Sequence, residues 1–315
     1  MPPENRAEYL ADLKRYADLI ASQLRPPFTF AAGAESATAV QVERGIVYPA
    51  ALLDPASLDI SPTDRLVELA TSDRLASLAV VDRAGHHRPA YGSVLVYAWL
   101  QAFRLAYETL PRAQFGRWEE GLRPWCDMLE GELTSIELPG TGAGTGAATG
   151  TGTPASRGAS ATEAAWTALA LFVAGKVFIR DAWTDLASDT FGRLTRAQQP
   201  SGAFLLASAS DNPETTWYHE LVILHAAGSY AVQAEDRTVA AAVKRASDFH
   251  LAETQPDHAT SQPWAIFPFV WNPRTRPLAD ALLHAHAVHN PQQQQASLSL
   301  MLLADALYCL RLFVK

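Results

Sequence analysis

Apolar residues recur at helical spacing along most of this chain. Leu10, Leu13, Ala17, Ile20 and Leu24 form one stripe, which predicts an amphipathic helix from about Glu4 to Leu24 that stops before Pro26-Pro27. Ser61-Pro62-Thr63-Asp64 reads as a helix start leading to about Val81. Residues 28 to 60 carry the weakest helical signal and are expected to hold short strands or irregular loop. From residue 90 onward two kinds of segment alternate. Tyr91 to Tyr107, Glu163 to Phe178, Glu214 to Val232 and Ala296 to Val314 are apolar nearly all round. Arg117 to Leu133, Asp181 to Gln198 and Glu235 to Ala252 keep a polar face, with Asp185, Asp189, Arg193 and Arg196 on the second and Lys244, Arg245 and Asp248 on the third. A helix apolar all round is buried, whereas an amphipathic one meets solvent. The alternation predicts an all-α fold with an inner ring of helices wrapped by an outer ring, neighbours running antiparallel through short connections.

Repeats point the same way. Glu163-x-x-Trp166 and Glu214-x-x-Trp217 open two inner helices, with the tryptophans 51 residues apart, and Gln199-Pro200 and Gln255-Pro256 close the following outer helices, 56 residues apart. One helix pair with its loops fits that length. The segment Leu194-x-x-x-Gln198-x-x-x-Gly202-x-Phe204 resembles the glutamine–aromatic motif that joins helix pairs in squalene-type cyclases, with Phe204 where Trp is usual. Leu251-x-x-x-Gln255-x-x-His258 resembles a degenerate second copy, with His258 where Gly is expected. Over about residues 160 to 315 the chain thus resembles the α/α-toroid superfamily of terpenoid cyclases and protein prenyltransferases. The resemblance implies an α/α toroid, complete or partial, forming one domain over residues 1 to 315. The Gly/Thr-rich stretch at about 139 to 160 reads as a flexible insertion, because such a composition cannot bury a core. The family's chemistry is not carried over. Neither DxDD nor DDxxD occurs, and Asp305 and Cys309 do not match the Asp-x-Cys of the prenyltransferase zinc site.

Composition narrows the function classes. Hydrophobic residues make up 48 % of 315 residues, enough for a sizeable core. The net charge of −8, with no basic stripe, argues against a nucleic-acid partner. Cys126 and Cys309 lie in apolar helical stretches and read as two buried thiols rather than a bridge. Without a Cys-x-x-Cys pair, a thiolate zinc site is excluded. The N-terminal residues lack an apolar core for a signal peptide. Leu298 to Val314 is broken by Asp305 and Arg311, so no membrane association is expected and the expected location is cytoplasmic. No phosphate-binding loop is present in Gly140 to Gly152, and His86-His87 and Gln292 to Gln295 read as a solvated turn and a helix start.

Two segments carry candidate chemistry. In Asn212 to Glu220, Trp217, Glu220 and Leu224 share one helix face while Tyr218 and His225 share another. Glu220 among apolar neighbours would have a raised pKa and could serve as a general acid. It could equally be a structural acceptor holding the ring together. Gln255 to about Pro277 reads as a long, proline-stiffened loop in which Asp257 and His258 offer an acid and a base, and Trp264, Phe267, Phe269 and Trp271 cover apolar surface. If both segments reach one mouth, the expected catalytic set is Glu220, Asp257, His258, His219 and Tyr218. Trp217, Trp264, Phe267 and Trp271 would then be the ligand-binding aromatics, stacking on a small polar ligand such as a sugar. That reading is of a hydrolase or lyase without a cofactor. The alternatives are a non-catalytic module binding a ligand or a protein partner, and an isoprenoid-handling relative. Asp280 and His284, spaced i, i+4, could hold a metal, with His286 and His289 on a different face, but a metal site is not the favoured reading.

Overall fold

A computed structural model describes residues 3–23, 47–54, 91–107, 112–136, 138, 154–204, 213–260, 262–289 and 296–315. Of these, 88 % are helical, and no strand occurs among them. The order is α1 (Pro3–Gln23), α2 (Val47–Leu53), α3 (Tyr91–Ala106), α4 (Arg112–Ser135), α5 (Pro154–Phe178), α6 (Asp181–Ala197), α7 (Pro213–Ala234), α8 (Arg237–Glu253), α9 (Pro256–Ala259), α10 (Ile266–Trp271), a 3₁₀ turn (Pro273–Thr275), α11 (Arg276–His289) and α12 (Ala296–Val314).

The alternation in the sequence becomes an alternation in burial. Along α3, α5, α7 and α12 nearly every described side chain from the second turn onward is buried. By contrast, α6 buries a stripe of Trp183, Ala187, Thr190, Phe191 and Leu194, and α8 one running from Val239 to His250. The buried helices touch in a closed order: α3 packs on α5, α5 on α7, α7 on α12, α12 on α2, and α2 back on α3. Each amphipathic helix lies against this set, α4 on α3 and α5, α6 on α5, α8 on α7, and α1 on α12. Asp236 caps α8, accepting from the backbone N–H groups of Thr238 and Val239. Where α7 meets α10 the backbones come close at Gly228: a Cβ there would lie 2.6 Å from Cγ of Pro268.

Three expectations are corrected. Residues 47–53 form a helix rather than strand or loop, because Val47, Tyr48, Ala51 and Leu52 place apolar groups against α3 and α12. The Gly/Thr-rich stretch ends earlier than expected, since α5 begins at Pro154. The segment 255–277 is not irregular: prolines at the first turn of α9 and of the 3₁₀ turn start short helices there. The helix expected at 61–81, residues 139–153, His86-His87 and Gln292 to Gln295 lie outside the described residues. By length and composition Ser160–Phe178 could cross a membrane, and 78 % of that window is buried against other helices. Both cysteines are free and buried.

Candidate functional site

The two segments singled out in the sequence meet. Helices α9 and α10 both pack on α7. The ring of Tyr218, at the start of α7, meets Trp264 edge-on at 6.2 Å, and His225, two turns further along the same face, meets the same indole at 5.7 Å. This is the face the seven-residue spacing predicts. Below Tyr218, His219 and Glu220 are buried at the start of an otherwise apolar helix. On α12, Ser299 donates to Gln262 Oε1 at 2.5 Å, so the N-terminal ends of α7 and α12 lie beside the Gln262–Trp264 segment. The indole N–H of Trp264, itself 3 % exposed, is buried without an acceptor among the described residues. A buried donor left unpaired is costly, of order 1–3 kcal/mol, and marks a place where an acceptor would be welcome.

The other candidates sort by burial. Asp257 and His258 are solvent-accessible, their side chains 4.0 Å apart. Trp217 and Tyr218 are half-buried. Phe267 is sealed in the core, stacked at 5.4 Å on Trp271, which also meets Phe313. Phe267 therefore serves packing and has no face open to a ligand. Asp280 is exposed and bonded to Arg15 at 2.9 Å, and His284 is exposed. No group of three or more His, Cys, Asp or Glu with metal-holding geometry occurs among the described residues.

The glutamine–aromatic segment does a defined job. Gln198 Nε2 donates to the carbonyls of Gly202 (2.7 Å) and of Ala242 on α8 (2.9 Å), while its Oε1 accepts from Arg245. Gly202 has φ +101°, and a Cβ there would lie 2.5 Å from the Arg245 carbonyl oxygen, so only glycine fits. Two residues on, the Phe204 N–H donates to Glu220 Oε2 at 2.8 Å. The segment thus ties the end of α6 to α8 and to α7 together. Gln255 of the second copy is exposed and makes no side-chain cap bond, so the copy does not repeat this tie.

Sequence reasoning missed the polar cluster at the centre of the closed order. Asp305 on α12 is 1 % exposed. Its Oδ1 accepts from Tyr48 of α2 (3.1 Å) and from Tyr97 of α3; its Oδ2 accepts from Ser229 of α7 and contacts His225 Nε2 at 3.1 Å. Trp166 of α5 lies beside the cluster, 5.6 Å from Tyr97 and 5.4 Å from His225. The protons can be assigned. Ala265 N–H donates to His225 Nδ1 at 3.1 Å, so that nitrogen is bare and Nε2 carries the hydrogen towards Asp305. Arg104, which can only donate, bonds Gln233 Oε1. Gln233 Nε2 and Gln101 Nε2 then both donate to the Tyr97 oxygen, at 2.9 and 2.8 Å, so the Tyr97 hydroxyl must donate to Asp305. Tyr48, Tyr97, Ser229 and His225 thus face one carboxylate, and the Cys309 thiol lies 3.9 Å from its Oδ2. Burial, then the Asp305 charge, pushes the Tyr48 and Tyr97 hydroxyls well above the usual tyrosine range, which keeps both as donors. Burial raises the Cys309 thiol likewise.

This is not a nucleophilic triad. In such a triad the imidazole bridges acid and hydroxyl. Here Ser229 and His225 address the same carboxylate oxygen, and the other ring nitrogen is occupied by a backbone N–H. The cluster is a plug that joins α2, α3, α7 and α12. The signal in the sequence was one charged residue, Asp305, inside an apolar helix. Comparison with known protein families, with characterised proteins and with solved structures gives no match.

Proposed function

We propose that the chain is an α/α toroid with a filled centre, and that its working site is the mouth at the N-terminal ends of α7 and α12. A small polar ligand would bind there under Trp264, beside Tyr218, with Glu220 and His219 beneath it and Asp257 and His258 at the rim as the acid/base groups. The observation that carries this reading is the meeting of Tyr218 with Trp264, whose indole N–H is buried and lacks an acceptor among the described residues. The closed order of helix contacts supports the toroid and its architectural kinship with terpenoid cyclases and prenyltransferases. The Asp305 plug occupies the depth that an isoprenoid chain would need, which favours a small ligand held near the surface.

One observation favours a second reading, a module that binds without transforming its ligand. Glu220 already accepts the Phe204 N–H, and a general acid at this position would have to keep that bond through the reaction.

Calorimetric binding and turnover of a panel of mono- and oligosaccharides, with wild type, Glu220→Gln and Trp264→Phe, separates the two. Trp264→Phe is expected to weaken binding about five- to tenfold, the value of one hydrogen bond. Catalysis through Glu220 requires turnover by wild type to fall at least about a hundredfold in Glu220→Gln while binding persists. Binding without turnover in either protein selects the module. A ligand whose affinity is untouched by Trp264→Phe removes the mouth as the site.

A further inference from the structure

A concavity lies at the other end of α12, apart from the mouth. It is a groove of about 400 Å³ lined by Arg6 and Leu13 of α1, Leu52 at the end of α2, Leu105 near the end of α3, Tyr308, Arg311, Leu312 and Val314 of α12, and Lys315 just beyond it. This volume is within the range of small-molecule sites, roughly 300–1,000 Å³. Its floor is aliphatic: Leu13, Leu52, Leu105, Leu312 and Val314. Its charged lining side chains are Arg6, Arg311 and Lys315, with no acidic side chain among the lining residues, in a protein of net charge −8. Arg311 is fixed by donating to the Leu52 carbonyl at 3.1 Å, which holds its guanidinium at the groove. Arg6 and Lys315 are exposed and have no hydrogen bond or ion pair among the described residues. Arg104 adds a fourth cation nearby, 5.6 Å over the Tyr308 ring.

Basic residues at helix ends have an ordinary role, since they complement the negative pole of the helix dipole. The ends of α2, α3 and α12 supply roughly half a negative charge each. Even with a main-chain carboxylate counted at Lys315, that is less than the four positive side chains once Arg104 is included, so the groove keeps an excess of positive charge over its aliphatic side chains. We infer that this groove binds a single-chain anionic amphiphile, a free carboxylate bearing an alkyl chain, with the chain along the leucines and the head group among Arg6, Arg311 and Lys315. The site is independent of the mouth and of whatever chemistry occurs there.

Titration calorimetry of the full chain with monomeric decanoate, below its micelle concentration, tests this. Saturable one-to-one binding is expected, weakening about two- to fourfold for each methylene removed from the chain. Decyltrimethylammonium, with the same chain and the opposite charge, is expected to bind at least tenfold more weakly. Arg6→Glu combined with Lys315→Glu is expected to lower decanoate affinity at least tenfold. Its unchanged melting temperature would establish that the fold is intact, and the milder pair Arg6→Gln with Lys315→Gln serves if it is not. Equal binding of the two head groups, or unchanged affinity in the charge variants, overturns the inference. So does sedimentation with anionic phospholipid vesicles without binding of monomeric decanoate, which would assign the cations to a bilayer surface. Failure here leaves the mouth untouched, because the sugar titrations read a different set of residues.

Discussion

His250 on α8 is fully buried beside Phe249 and Phe269, with Nδ1 bonded to Thr254 at 2.8 Å and Nε2 without a partner among the described residues. Burial lowers its pKa from 6.5 to about 3. The unfolded chain therefore takes up this proton first as pH falls. The neutral ring contributes its full stability above pH 6.5, and that contribution is lost progressively down to about pH 3. At pH 4.5, two units below the unfolded value, the loss is roughly 3 kcal/mol. Denaturant unfolding at pH 7.5 and 4.5 should show His250→Phe losing less stability than wild type by about that amount. Equal losses in the two proteins would move the acid sensitivity elsewhere. Glu220 teaches the complementary lesson at the same scale. Its spacing put it correctly on a buried face, but the Phe204 N–H that fills its Oε2 comes from a loop sixteen residues away, which periodicity cannot see.

At the scale of elements, the long helices were legible because fifteen or more residues define a face. The alternation of buried and amphipathic helices was read from such faces and is found as expected. What escaped were elements too short to have a period: α2 with seven residues, α9 with four and α10 with six. These short pieces matter for the site. Helix α10 follows directly on Ala265, whose φ of 56° turns its N–H onto His225 Nδ1, and Pro268 of α10 rests on Gly228 of α7. Gly228→Ala should therefore push α10 off α7. Intrinsic propensity alone would make the change stabilising by up to about 1 kcal/mol, since alanine is the better helix former. Overpacking against the proline ring, a contact of 2.6 Å with little freedom to yield, works in the opposite sense by about 1–3 kcal/mol and should prevail. A thermal melt in which Gly228→Ala is more stable than wild type would show that α10 yields at no cost. Perturbing α10 also shifts Trp264, so the variant should weaken any ligand held at the mouth.

At the scale of the whole molecule, the sequence predicted helices in two layers but not what fills their centre. Tyr48, Tyr97, His225, Ser229 and Asp305 come from four helices and lie up to 257 residues apart, and helical spacing says which residues share a face, not which faces meet. Once they meet, the carboxylate is the acceptor common to α2, α3 and α7. Asp305→Asn keeps the shape and turns one oxygen into a donor. That amide would then oppose hydroxyl or imidazole donors in a fully buried site. Leaving a buried donor opposed in such a cluster should cost about 1–3 kcal/mol, against about 1 kcal/mol for Tyr48→Phe, whose hydroxyl has Asp305 as its hydrogen-bond partner. The two changes should not add. With Tyr48 lacking its hydroxyl, one of the donors facing residue 305 is gone, so the asparagine can turn its amide towards that side with less conflict. The double variant should be at least about 1 kcal/mol more stable than the sum of the singles requires. Additive losses in denaturant unfolding would mean that the four donors do not act on one shared acceptor, and the plug would be four separate contacts rather than a single tie across the ring.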